Sequence, residues 1–257
     1  MSGWFAFRRE RDDAPIRLFC LPHAGGGALL FRSWHDALPG VDVCPVELPG
    51  RGTRLRDAPV EDAVSLALAL ADEMQPLLDR PYALFGQSMG AVVAFETART
   101  LRRDGAPVPA MFVSASRNCP CLPDARPKVH MLPDDEFTVA LRRFGGTPEI
   151  VLQDPDMMDL FRPTLRADFA VAETYRYELE APFECSVCVY SGDGDDLVDD
   201  PGLAAWQREF TGRFTQRRFP GGHFFVQKHA ADVLRTLSED LATVTPGGVT
   251  RAPSARD

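Results

Sequence analysis

Basic side chains are scarce beside acidic ones: 28 Lys and Arg stand against 37 Asp and Glu, a formal charge of −9 at pH 7. Binding a nucleic-acid backbone draws on an excess of Lys and Arg, as does attraction to an anionic membrane surface, so neither partner is expected. Long apolar runs are missing too. The uncharged apolar-rich run at residues 63–71 is far short of the roughly 18 residues that suggest a membrane-spanning helix. The opening "MSGWFAFRRERDD" has no basic start, long apolar core or small-residue cleavage site of the kind a secretory signal carries. A cytoplasmic protein is the expectation.

Cysteine is sparse. Of six, Cys185 and Cys188 form a C-x-x-C inside "ECSVCVY", which reads as a buried strand. Odd spacing in a strand sends two side chains to opposite faces, away from a shared metal or disulfide. Cys119 and Cys121 flank Pro120 in a proline-rich loop with no second pair to match. Reduced structural thiols are expected throughout. Histidine is sparser still, at five, and that scarcity narrows the search for a base.

What is present fits a globular α/β protein. Apolar residues make up 45% of the 257 and charged residues 25%, ordinary proportions that allow one large domain or two small ones. Short apolar runs, "IRLFCL", 41–46, 82–85, "AMFVSA", 184–190 and 214–219, alternate with helical spacing near 28–38, 61–78, 89–103 and 226–244. This is the pattern of a mostly parallel sheet covered on both faces. Residues 117–182 break it, with helical pieces "DDEFTVALRRF" and "PTLRADFAVAETYRY" but no strand. They read as a helical lid inserted into a core of 16–116 and 183–243, the alternative being a small second domain. Residues 245–257, rich in Pro, Gly and charge, are expected to be disordered. No internal repeat is visible.

The stretch "LFGQSMGA" holds Ser88 between Gly86 and Gly90, at the seam between a strand and a helix. That is a G-x-S-x-G in the context of a nucleophile elbow. Glycines there let strand and helix pass closely while the serine takes a strained backbone conformation. The turn also sets the Met89 N–H beside the hydroxyl, at a helix amino terminus, where it can stabilise developing negative charge. A serine needs a base, and this class of site orders its triad Ser, Asp, His. His23 and His35 precede the serine, His130 lies in the insertion and His229 inside the last helix. His223, in the glycine loop "FPGGHFF", is the base. For the acid, "YSGDGDDLVDD" offers Asp193, Asp195, Asp196, Asp199 and Asp200, with Asp195 only slightly ahead on position. A calcium loop fails because Leu197 and Val198 stand where a ligand oxygen and a glycine belong. A second oxyanion donor is expected from "PHAGGG", at Ala24 N–H with Gly25 in reserve, unless those glycines serve only a tight turn.

Taken together, "LPHAGGG", "ELPGRGTR", "GQSMGAVVAFETAR", "LRADFAVAETYRY", "SGDGDDLV", the Trp206 helix and "FPGGHFF" resemble the type II thioesterases of polyketide and non-ribosomal peptide assembly lines, over residues 16–243. The resemblance implies an α/β-hydrolase fold with a helical lid, and hydrolysis of acyl thioesters on the phosphopantetheine arm of carrier proteins, an editing role. It implies Asp195 as the acid, from a G-x-x-D-P-type motif, and calls for no metal and no cofactor beyond the arm on the substrate. Two positions depart from the family pattern: Gln87 replaces a common histidine, and Asp196 a usual proline. Transient docking of an acidic carrier domain on a monomer would use local basic groups, Arg142, Arg143, Arg162 and Arg166 or Arg54 and Arg56, if these are not simply solvated. Phe144, Phe161, Phe169 and Met157 are candidates for an acyl channel or for ordinary packing. The rival readings are a carboxylesterase or lipase-like hydrolase, an acyl-transfer or cyclising release enzyme, and a non-catalytic binding module.

Overall fold

The structure, a computed structural model, describes residues 3–124 and 126–245. The tail expected to be disordered therefore falls, from residue 246 onward, outside the described residues. Six strands form one sheet: β1 (Ile16–Leu21), β2 (Val41–Pro45), β3 (Tyr82–Gln87), β4 (Met111–Ala115), β5 (Ser186–Gly192) and β6 (Phe214–Phe219). Their order is β2-β1-β3-β4-β5-β6 and every neighbouring pair is parallel. The helices are α1 (Trp34–Ala37), α2 (Ala63–Met74), α3 (Met89–Arg103), α4 (Asp134–Phe144), α5 (Glu149–Gln153), α6 (Pro155–Thr174), α7 (Asp200–Ala204), α8 (Phe225–Lys228) and α9 (Ala230–Ala242).

Parallel strands need crossovers, and crossovers put helices on both faces, so the inner strands are apolar at nearly every position. On one face Phe19, Leu84 and Phe112 meet Leu66 and Leu70 of α2, Phe95 of α3 and Trp206. On the other, Leu18, Phe85 and Val113 meet Trp34 of α1 and Val233 and Leu237 of α9. Strand parity divides the C-x-x-C as expected: Cys185 lies in the first core and Cys188 in the second. Chain order reverses between β1 and β3. Ligands of open α/β sheets bind at the carboxyl ends of strands where the order switches, and this switch point holds His23 and Ala24 after β1 and Ser88 after β3.

Helix boundaries moved where local chemistry intervened. The helix expected over 61–78 starts after Asp62, whose carboxylate caps the Ser65 N–H at 2.7 Å. It tightens to a 3₁₀ turn at Gln75–Leu77, where Pro76 has no N–H to continue it. The segment 28–38 is a 3₁₀ turn (Ala28–Phe31) followed by α1, and the last helix breaks at His229. One expectation is corrected. Cys119 and Cys121 are joined, because the turn over Pro120 brings their Cα atoms to 5.3 Å, while Cys20, Cys44, Cys185 and Cys188 stay free and buried.

Helices α4 to α6 lie between β4 and β5 with an apolar cluster of their own, including Phe137, Leu141, Leu152, Met158 and Leu165. Acidic residues in the first turn of α4 and Arg142 and Arg143 in its last complement the helix dipole. The insertion is fastened to the sheet domain at several points. Thr164 donates to Gly50 O at 2.8 Å. On the return path Glu180 accepts from Arg99 at 2.7 Å and from Arg102 at 2.6 Å.

Close approach of α3 to the sheet depends on two glycines. A Cβ on Gly86 would stand 2.4 Å from Ala91 Cα, and one on Gly90 2.4 Å from Leu21 O. Both obstacles are backbone and cannot swing aside. Gly90→Ala is expected to lower unfolding stability in urea by about 3 kcal/mol, the upper range for overpacking, whereas Gly40→Ala meets nothing within 4 Å and is opposed only by its positive φ.

Candidate active site

Ser88 sits between the last residue of β3 and the first of α3 with φ 52° and ψ −113°. Its N–H donates to Ala115 O at 2.8 Å, which fixes the turn against β4. The hydroxyl is thereby raised at the carboxyl edge of the sheet. His223 Nε2 lies 2.9 Å from Ser88 Oγ, and His223 Nδ1 lies 3.0 Å from each carboxylate oxygen of Asp195. Nδ1–H donating to Asp195 leaves Nε2 as the acceptor for the serine proton, the tautomer a general base requires.

Position alone left five aspartates open; packing separates them. Asp195 is buried against the imidazole, while Asp196 is exposed. Asp199 caps α7 through the Gly202 N–H at 2.7 Å, and Asp200 pairs with Arg218. Burial alone would raise the Asp195 pKa, but hydrogen bonds from His223 and the Leu197 N–H, with the attraction of the imidazole, bring it below the usual carboxylate value. Ser116 was not legible in the sequence. It follows β4 with φ 54°, and its hydroxyl donates to His223 O at 2.9 Å, which steadies the backbone of the loop that carries the imidazole.

The site opens on a chamber of about 120 Å³ whose walls include Leu141, Phe144, Leu165, Phe169 and Val198. Of the acyl-channel candidates, Phe144 and Phe169 line it; Phe161 packs within the insertion and Met157 lies outside the lining. Arg117 is also in the wall. Burial pushes its pKa down to about 10, leaving it cationic at neutral pH, and it donates to Ala172 O at 3.0 Å.

Ala24 and Met89 both border the chamber. Met89 is the first residue of α3, where N–H groups have no intrahelical acceptor. Among the described residues the Ala24 N–H has no acceptor either. Gly25, the reserve donor, is otherwise engaged: its N–H donates to Asp168 Oδ2 at 2.6 Å. Gln87, below the elbow, is fully buried in a reciprocal amide pair with Gln227, at 2.7 and 3.2 Å. Most of the suggested docking arginines are used within the protein. Arg142 pairs with Glu149, Arg162 with Asp159, Arg166 with Asp134 and Arg54 with Asp57. Arg143 and Arg56 make no ion pair among the described residues.

A parallel sheet with a strained serine elbow at its switch point, in line with an imidazole and a carboxylate, defines an α/β-hydrolase. The thioesterase domain family matches residues 16–241, and the chain belongs to that family. The gramicidin S biosynthesis protein GrsT of Aneurinibacillus migulanus is 38% identical over 245 residues, 95% of this chain and 96% of that protein. Thioesterase PikA5 of Streptomyces venezuelae is 36% identical over 98% of this chain and 89% of its own length. Among solved structures, the type II thioesterase BorB from the borrelidin biosynthetic cluster superposes with a TM-score of 0.83 at 36% identity, covering 91% of this chain and 96% of that one. No described helix is long and apolar enough to cross a membrane.

His23 provides a pH test. It is buried beside the chamber, and burial, opposed by a hydrogen bond with Ala24 O and assisted by nearby His223, lowers its pKa from 6.5 to about 4. Because the folded value is the depressed one, the unfolded chain binds the extra proton between pH 6.5 and 4. Stability is then intact above pH 6.5 and falls as the pH drops toward 4, by about 3 kcal/mol in all. Urea midpoints measured across that window are expected to show this slope in the wild type and a flatter one in His23→Gln.

Proposed function

We propose that the protein hydrolyses acyl thioesters held on the phosphopantetheine arm of acyl or peptidyl carrier proteins, removing stalled or aberrant acyl groups in polyketide or non-ribosomal peptide synthesis. The observation that carries the reading is the hydrogen-bonded line from Asp195 through His223 to the Ser88 hydroxyl, opening on an apolar chamber. Its support in kind comes from relatives named for gramicidin S biosynthesis and the borrelidin cluster. The reaction belongs in the cytoplasm, and residues 117–182 act as a lid over a core of 16–116 and 183–243.

In this mechanism Ser88 Oγ attacks the thioester carbonyl as His223 Nε2 takes its proton. The carbonyl oxygen becomes an oxyanion, held by the Met89 and Ala24 amides. Collapse breaks the C–S bond, and the imidazolium returns its proton to the departing sulfur, leaving an acyl-serine. Water then attacks, giving a proton to His223. The second collapse releases the free acid and restores the serine hydroxyl. Asp195 keeps the imidazole tautomer and stabilises the imidazolium without taking the proton. A thiolate leaves more readily than an alkoxide, so no further acid is needed at the leaving group. The triad would serve an oxygen ester as well; membership of the thioesterase family is what favours sulfur.

Ser88→Ala and His223→Ala are each expected to lower kcat by about 10⁴-fold or more, and Asp195→Asn by about 10³ to 10⁴-fold. Asp196→Asn should stay within about twofold, as expected of an exposed carboxylate away from the reacting atoms. Turnover of an acyl-pantetheine thioester and its oxygen ester should be compared directly; faster ester cleavage would sink the thioesterase reading. For the carrier partner, Arg143, which makes no ion pair among the described residues, and the Lys128 at the chamber rim are the test. Charge reversal of both is expected to lower kcat/KM on carrier-bound substrate by about tenfold and to leave a free pantetheine thioester unaffected.

A further inference from the structure

The insertion does more than cover the chamber. Asp168, on α6 and almost wholly buried, accepts from the Gly25 N–H at 2.6 Å through Oδ2. The same carboxylate is gripped by Arg51, with Nη2 2.6 Å from Oδ1 and Nη1 2.7 Å from Oδ2. Arg51 Nη1 also donates to Gly26 O at 2.9 Å. The guanidinium and carboxylate thus hold the glycine loop from both sides, one on a carbonyl and the other on an amide. Gly25 has φ 76°, and a Cβ there would lie 2.7 Å from Leu165 of α6, so the helix rests directly on the loop.

We infer that Asp168, oriented by Arg51, is a positioning residue for the oxyanion hole: it fixes the Gly25 amide and so keeps the neighbouring Ala24 amide aimed at the reaction centre. This rests on the hydrolase reading above. Three successive glycines have almost no conformational preference of their own, so the loop's shape must be imposed from outside. An oxyanion donor is effective only when it is already in place as charge develops. A buried ion pair adds little net stability over apolar packing; what this one supplies is direction. Because Asp168 belongs to the insertion, the hole is complete only while α6 is seated on the loop.

The test uses the full chain in three forms: Asp168→Asn, Asp168→Leu, and the double variant Arg51→Met with Asp168→Leu. The double variant removes the pair without leaving a bare buried charge, so it keeps the fold where a single change endangers it. Hydrolysis of an acyl-pantetheine thioester and inhibition by an acyl trifluoromethyl ketone, whose serine adduct carries an oxyanion, are measured together. In the double variant kcat should fall about 100-fold, the lower range for loss of an oxyanion donor, with KM within about threefold. The inhibition constant of the ketone should rise in proportion to the loss of kcat/KM. Asp168→Asn, which keeps an oxygen to accept from Gly25, should retain more activity than Asp168→Leu.

Activity of the double variant close to wild type would overturn the inference. So would a loss of activity that leaves affinity for the ketone unchanged, since a merely structural role predicts that pattern. A wild-type protein inert on every thioester would instead remove the hydrolase reading, a result distinguishable from both.

Discussion

The 2.9 Å contact between Ser88 Oγ and His223 Nε2 is the constraint around which the sheet domain is organised. It joins residues from two loops, one ending β3 and the other following β6, and each loop is held by backbone it does not control. The serine is held because its N–H is tied to β4 and because Gly86 and Gly90 let α3 pass within contact of the sheet. The imidazole is held because Asp195 grips one ring nitrogen and Ser116 the backbone carbonyl. A hydrogen bond worth about 1 kcal/mol net in most settings is thus imposed by geometry with much larger energies behind it.

Much of this was legible in the sequence, for identifiable reasons. The inner strands stood out because a parallel sheet buried on both faces demands continuous apolar runs, and "IRLFCL" and "AMFVSA" are short, apolar and bounded by turn residues. Ser88 was legible because Gly86 and Gly90 sit where a Cβ would strike backbone, and His223 because it follows a glycine pair whose first member has φ 99°. Asp195 was not separable from its neighbours on spacing alone, since five carboxylates within eight residues look alike until burial sorts them. Family likeness singled it out before the geometry did. Ser116 was invisible: a serine ending a strand has no signature, and its positive φ shows only in three dimensions.

The coupling between Arg51 and Asp168 escaped for a different reason. Both lie in stretches that mark the family, yet they are 117 positions apart, and no periodicity relates a loop after β2 to a helix inserted after β4. Burial at Asp168 is also the reverse of what an exposed-looking "LRADF" suggests. The pairing of Cys119 with Cys121 likewise differs from an expectation based on compartment, because composition carries no sign of the turn over Pro120 that brings their Cα atoms to 5.3 Å. Sequence patterns report on elements; they are silent about which distant elements meet.

Beneath the elbow, the paired amides of Gln87 and Gln227 tie the end of β3 to α8. Neither amide can gain or lose a proton in water at any physiological acidity, so the floor under Ser88 keeps the same charge from mildly acidic to mildly alkaline surroundings. That amide pair therefore adds no titration of its own to any pH dependence of the site.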